Sequence, residues 1–145
     1  MRFMIIRRAD ADTEAFKMPT KEQMADMGAY MESMHKAGIL LRGDGLKPSS
    51  KGARVNFSKG KPSVVDGPFS ETKELIAGYT IIDVPNLADA IEWAKKWPAT
   101  DAGGGLVLEI REFLEAADFP SDVFPPEEAA KVQKRREEVE AKAKK

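Results

Sequence analysis

The stretch Val64-Val65-Asp66-Gly67-Pro68-Phe69-Ser70-Glu71-Thr72-Lys73-Glu74-Leu75-Ile76-Ala77-Gly78-Tyr79-Thr80-Ile81-Ile82-Asp83 decides the fold. It opens on a β-branched pair, closes on an apolar strand, and is broken between them by Gly67-Pro68. Proline has no N–H for a ladder, and glycine permits a sharp exit from the strand. Asp66 therefore stands where a strand ends, a place where carboxylates cap turns and where sites are often built. With Glu71, Lys73 and Glu74 it makes the densest cluster of chemical groups in the chain. Gly78 to Val84 then runs on as a strand.

Upstream of this stretch, Ala53 to Phe57 alternates as a strand, Ser58 to Pro62 is a turn, and Ser63 to Val65 pairs back as a hairpin. At the start of the chain, Phe3 to Ile6 is a short strand. Phe3, Ile5 and Arg7 share one face while Met4 and Ile6 share the other, as expected of a central strand covered on both sides. Ala9 to Met18 is an acidic loop without a period. Thr20-Lys21-Glu22-Gln23 is a capping box opening a helix that runs to about Ala37, with Gly38 as its stop. Met24, Met27, Met31 and Met34 form its apolar stripe, an ordinary core face. By helical angle His35 falls near that stripe, as a packed residue. Ile39 to Leu41 is a strand, and Leu46 to Gly52 is a connection rich in turn formers.

Downstream, Asn86 is a good N-cap for a second helix whose buried face is Leu87, Ala90, Ile91, Ala94 and Trp97, stopped by Pro98. Gly103-Gly104-Gly105 leads into a strand rather than a helix, so it is not a phosphate-binding loop. In Leu106 to Arg111 the residues Leu106, Leu108 and Ile110 face one way, and Val107, Glu109 and Arg111 the other.

This order, β-α-β(ββ)-β-α-β, predicts an α+β fold: a ferredoxin-like (split βαβ) sheet with two helices on one face. The uncovered face carries Val107 and either Tyr79 or Thr80 beside Glu109 and Arg111. A partly apolar face of that kind finds a partner, so a homodimer is expected, with a partly polar pocket between the sheets. Glu109 and Arg111 pair with each other or clamp a carboxylate, and Arg7 joins them if its face agrees.

Composition narrows the function. The chain has 145 residues with 23 Lys and Arg against 24 Asp and Glu, a net charge of −1 that argues against direct nucleic-acid binding. Cysteine is absent and there is a single histidine, so no thiol chemistry and no metal site is expected; nor is a cofactor. No apolar run is long enough to cross a bilayer, and a cytoplasmic location is the default. The expected organisation is a domain over 1–115, a Pro/Phe linker over 116–126, and a charged helical tail over 127–145. In that tail Glu127 with Lys131, Glu138 with Lys142 and Glu140 with Lys144 stand four apart.

Several of these residues carry a family resemblance. Asp66-Gly67-Pro68-Phe69, Glu71-Thr72-Lys73-Glu74, Gly78-Tyr79, Ala90-Ile91-Glu92-Trp93-Ala94 with Pro98, Glu109-Ile110-Arg111 and Gly45-Leu46-Lys47-Pro48-Ser49 resemble the DGPF-motif branch of the YCII-related proteins, over Arg2 to about Phe113. The resemblance implies a dimeric α/β-barrel fold in mostly uncharacterised bacterial proteins, some associated with extracytoplasmic-function sigma factors. It also implies a His–Asp active site with the histidine on the first helix. Counted back from Gly38 without gaps, that position is Met27 here, so catalysis in this chain would centre elsewhere, on Asp66.

The expected function is a dimeric protein binding a small polar or anionic metabolite. Asp66 is the candidate acid–base residue, and Lys73, Tyr79, Glu109 and Arg111 are the candidate ligand-binding residues. The alternative is a non-catalytic interaction or regulatory module linked to sigma-factor-dependent transcription.

Overall fold

In chain order the elements are β1 (Arg2–Arg8), α1 (Ala11–Glu14), α2 (Lys21–Lys36), β2 (Leu40–Gly45), β3 (Ala53–Ser58), β4 (Lys61–Asp66), β5 (Ile76–Asp83), α3 (Leu87–Ala94), β6 (Leu108–Glu112) and α4 (Pro126–Ala143). They come from a computed structural model that describes residues 1–143. β2, β5, β1 and β6 form one antiparallel sheet in that order, and β3 with β4 form a separate hairpin. With the hairpin set aside, the four sheet strands and the helices α2 and α3 have the ferredoxin-like topology. The fold is α+β, as the pattern predicts.

The alternation of β1 sets the layering. Phe3 and Ile5 are fully buried and Arg7 is 7% exposed, so this face lies under α2 and α3. Its neighbours on β5 are Ile82, Thr80 and Gly78, and on β6 Glu112, Ile110 and Leu108. Met4 and Ile6 face the other way, beside Ile81 and Tyr79 on one side and Arg111 and Glu109 on the other. Of the two alternatives for the open face, Tyr79 is the one that lies there, and Thr80 is buried beneath the helices.

α2 begins at the capping box: the Gln23 N–H donates to Thr20 Oγ1 at 3.1 Å and the Thr20 N–H to Gln23 Oε1 at 2.8 Å. It ends where Gly38 takes a φ of +75°, a conformation that costs glycine nothing. The packed stripe is Met27, Tyr30, Met31 and Met34, with Tyr30 and Met34 buried. Met24 shares the side of Met31 by helical angle but is 61% exposed, because no apolar layer lies beneath the first turn. His35 is likewise solvent-facing, 3.6 Å from Glu32. On α3 the buried residues are Ala90 and Ala94, while Leu87 and Ile91 point outward. Trp93 and Trp97 add the bulk that the small alanines leave out; Tyr30 meets Trp97 edge to face at 5.6 Å and donates to the Trp93 carbonyl at 2.7 Å.

The chain divides into two compact units, Met1–Phe113 and Leu114–Lys145. In the second, Phe119 and Phe124 pack edge to face at 5.6 Å, and Arg136 lies 3.7 Å from Glu115. Lys131 pairs with Glu128, three residues away, rather than with Glu127, since both spacings bring side chains together on a helix. Glu138 and Lys142 form no ion pair among the described residues, and Glu140 with Lys144 lies outside them.

Candidate functional site

A cavity of about 510 Å³ opens on the helix side of the sheet, at the ends of β1, β2 and β5. Its floor is strand backbone. Gly43 and Thr80 are cross-strand partners on β2 and β5, and a Cβ built on Gly43 would lie 3.3 Å from Met31 Sδ and 3.6 Å from Thr80 Oγ1. Glycine at this position keeps the floor open above the Thr80 hydroxyl. Thr80 is 1% exposed, and its hydroxyl makes no hydrogen bond among the described residues. Met27 and Met31 of α2 form one wall.

The other wall comes from the segment between β1 and α2, acidic and without a period in its sequence. It contains the single turn α1, closed by a capping box in which the Thr13 N–H donates to Asp10 Oδ1 and the Asp10 N–H to Thr13 Oγ1, both at 2.8 Å. The signal was the Asp10-x-x-Thr13 spacing, a capping pattern too short to carry a hydrophobic period. This turn brings Asp10, Thr13 and Phe16 to the cavity, with Met18 beyond it.

At the polar end sits Arg7. Its Nη2 donates to Asp101 Oδ1 at 2.7 Å and its Nε to Asp101 Oδ2 at 3.2 Å, while Nη1 donates to Asp10 Oδ2 at 3.2 Å and to the Arg8 carbonyl at 2.9 Å. The Trp97 indole N–H adds a bond to Asp101 Oδ2 at 2.8 Å. Burial alone would raise the Asp101 carboxyl, but hydrogen bonds from Arg7 and Trp97, with the Arg7 charge, hold it below the ordinary range. Asp10 is also held low: burial opposes the shift, but the Thr13 N–H and the Arg7 charge outweigh it. Arg7 itself is raised, since its bonds and charge partners outweigh a burial that would lower it. Both carboxylates are thereby biased toward the ionised form.

The residues singled out from the sequence are not gathered in one place. Tyr79 borders the cavity, and its hydroxyl donates to Asp44 Oδ2 at 2.8 Å, which also accepts from Arg42 Nε at 2.7 Å. Glu109 and Arg111 lie on the open face, paired with each other at 3.3 Å. Arg7 does not join them, because it faces the helices. Arg8, on the open face with Met4 and Ile6 by alternation, instead reaches Glu109 at 2.8 Å. The side chain of Lys73 is exposed, and its carbonyl accepts from Arg8 Nε and Nη2. Glu71 pairs with Arg54 at 3.7 Å rather than with Lys73.

Asp66 ends β4 opposite Ala53, exposed and away from the cavity lining, with no side-chain hydrogen bond or ion pair among the described residues. The turn after it is held by its backbone. The Gly67 N–H donates to the Gly52 carbonyl at 3.1 Å, and the Phe69 N–H, the expected partner of an Asp66 cap, donates to Ser49 Oγ at 3.1 Å. Ser49 is in turn held by Glu14, through its N–H at 3.0 Å and its hydroxyl at 2.5 Å. Arg54 covers the Phe69 ring at 3.9 Å. The Asp66–Phe69 turn thus clasps the 46–52 connection to α1, one wall of the cavity. Among the described residues no three His, Asp or Glu side chains are grouped to hold a metal ion.

The model of one family, the YCII-related domain, matches residues 1–114. The chain belongs to the YCII-related family. This YCII-related chain is 36% identical over 72 residues to an uncharacterised protein of Rhizobium meliloti (strain 1021), a match spanning 50% of the chain and 58% of that relative. Among solved structures it is similar to 5-chloro-2-hydroxyhydroquinone dehydrochlorinase from Burkholderia phenoliruptrix AC1100, solved in complex with 2,5-dihydroxybenzoquinone. That likeness has 14% identity and a TM-score of 0.44, over 83% of this chain and 100% of the other. No helix among the described residues is long and apolar enough to cross a membrane.

Proposed function

We propose that this YCII-related protein binds a small metabolite in the cavity between α1, α2 and the β2–β5 edge, and that it does so as a homodimer joined through the open sheet face. The observation that carries the binding reading is Thr80, 1% exposed as a residue and making no hydrogen bond through its hydroxyl among the described residues, in the lining of a cavity of about 510 Å³. Since no buried side-chain polar atom among the described residues lacks a partner, the unbonded Thr80 hydroxyl is open toward this concave, largely apolar space, where it suits a ligand's polar group. Tyr79 reaches the cavity only from its place on β5, since its side chain lies on the open face with its hydroxyl on Asp44. Lys73, Glu109 and Arg111 serve other contacts, and acid–base chemistry at Asp66 would take place outside it. The proposed role is therefore binding, with turnover a separate question for a ligand once found.

The dimer reading rests on the open face, where Met4, Ile6, Tyr79 and Ile81 form an apolar strip flanked by Arg8, Glu109 and Arg111. Such a strip on one face of a sheet is commonly covered by a second copy.

The binding test is retention of small molecules through gel filtration, identified by mass spectrometry, for the wild type beside Gly43→Ala. The added methyl would enter the cavity near the Thr80 hydroxyl. Molecules retained by the wild type and lost from a folded Gly43→Ala support the site. Equal retention by both places binding elsewhere.

A further inference from the structure

Resting on the cavity reading above, we infer that the ligand is an uncharged or positively charged hydrogen-bond donor on an apolar body, and that the site discriminates against carboxylates and phosphates. The guanidinium that would ordinarily clamp an anion is already occupied. Arg7 uses four of its five N–H groups on Asp101, Asp10 and the Arg8 carbonyl, which leaves a single N–H on Nη2. A bidentate clamp needs two parallel N–H groups on one face of the fork, and Arg7 has already given that geometry to Asp101.

The charge around the cavity points the same way. Three carboxylates line it, Asp10, Asp12 and Asp101, against the two cations Arg7 and Lys17, while the Asp44 carboxylate faces the open side with Tyr79 and Arg42. Lys17 lies 3.8 Å from Asp12, both at the exposed rim, and Arg42 balances Asp44. At the buried end one guanidinium stands between two carboxylates, an excess of negative charge. An anion there would face like charge in a partly desolvated space, which is among the costliest mismatches a site can hold.

What this end offers is acceptor capacity. Asp10 accepts one N–H on each oxygen, and an ionised carboxylate has sites for about four. The Thr80 hydroxyl, both donor and acceptor, adds a partner at the floor. Between them Met27, Met31, Phe16 and Trp97 supply an adaptable apolar surface suited to a ring or short chain. A molecule carrying an O–H or N–H on such a body matches every part of this lining.

Three probes of one size separate the alternatives: 2-phenylethanol, 2-phenylethylamine and phenylacetate, titrated into the full chain. The readout is the amide shifts of Gly43 and Thr80 and the indole N–H shift of Trp97. The expected result is that the alcohol and the amine perturb these signals with affinities about tenfold or more above that of the acid. In Thr80→Val, which keeps the side-chain shape, the alcohol should weaken by about three- to tenfold while ethylbenzene binds unchanged. Phenylacetate binding as tightly as the alcohol would overturn the inference and leave the cavity standing as a site. If no probe moved these signals while all three moved signals elsewhere, the cavity reading itself would fall.

Discussion

Arg7 and Asp101, 94 residues apart in the chain, form a two-point ion pair, with Nη2 2.7 Å from Oδ1 and Nε 3.2 Å from Oδ2. The pair ties the central strand to the turn that follows α3, and it fixes the polar end of the cavity. Because the Arg7 side chain is 8% exposed, losing Asp101 leaves its guanidinium largely buried with only Asp10 as a charged partner. Asp101→Ala should therefore destabilise the protein by about 1–3 kcal/mol, read as a lower urea midpoint at unchanged slope. Replacing both residues, Arg7→Met with Asp101→Leu, should recover part of that loss, since the buried pair goes and Asp10, 30% exposed, keeps its Thr13 N–H.

The same pair sets an acid limit. Asp10 and Asp101 both titrate below the ordinary carboxylate value of 3.8 in the folded chain. The unfolded state therefore binds more protons in this range, and stability rises with pH there. Their contribution is present in full above the unfolded value and is lost as pH falls through about 4 toward the folded values. Urea titrations from pH 7 to pH 3 should show this decline. In Asp101→Asn the decline should be shallower, and an equal decline in the variant would assign the acid sensitivity to other carboxylates.

Two glycines should respond oppositely to alanine. A Cβ on Gly67 would lie 1.7 Å from the Ser49 carbonyl oxygen, an overlap with backbone that only movement of the turn relieves. Gly67→Ala should cost about 2 kcal/mol or more and loosen the clasp between the 46–52 connection and α1. Gly28 lies within α2 with nothing within 4 Å of an added Cβ, so Gly28→Ala should stabilise by up to about 1 kcal/mol. Thermal melts of the two variants in parallel would check both signs.

The open sheet face predicts assembly. Sedimentation should give twice the 16.0 kDa chain mass, and Ile6→Arg, which puts a charge amid the apolar strip, should shift the protein toward monomer without unfolding it. A wild type that sediments as a monomer at tens of micromolar would remove the dimer from the account.

The fold was legible because each of its decisions is local. Thr20 with Gln23 starts a helix, Gly38 stops it, Gly67-Pro68 ends a strand, and the alternation of Phe3, Ile5 and Arg7 assigns the faces. Once Phe3 and Ile5 are seen to be buried, that same alternation puts Arg7 under the helices and away from Glu109 and Arg111, which the sequence had allowed it to join. The site was less legible because its geometry is not local. Nothing near Arg7 in sequence announces Asp101, and nothing near Thr80 says that Gly43 will leave its hydroxyl uncovered. Conversely, the Asp66 turn has a conspicuous sequence for a backbone reason: Gly67 has no room for a side chain against Ser49. Dense chemistry in the sequence marked a tight turn, and the cavity drew on residues that looked like core and loop.

The central claim is that ligands enter the cavity above Thr80 rather than gathering around Asp66 and Arg111. Two-dimensional amide spectra of the full chain against pooled metabolites test it most directly, because every one of these residues reports separately. The account predicts shifts at Gly43, Gly78 and Thr80 and at the Trp97 indole, with Asp66, Lys73, Glu109 and Arg111 unmoved. Shifts confined to that second group would contradict it.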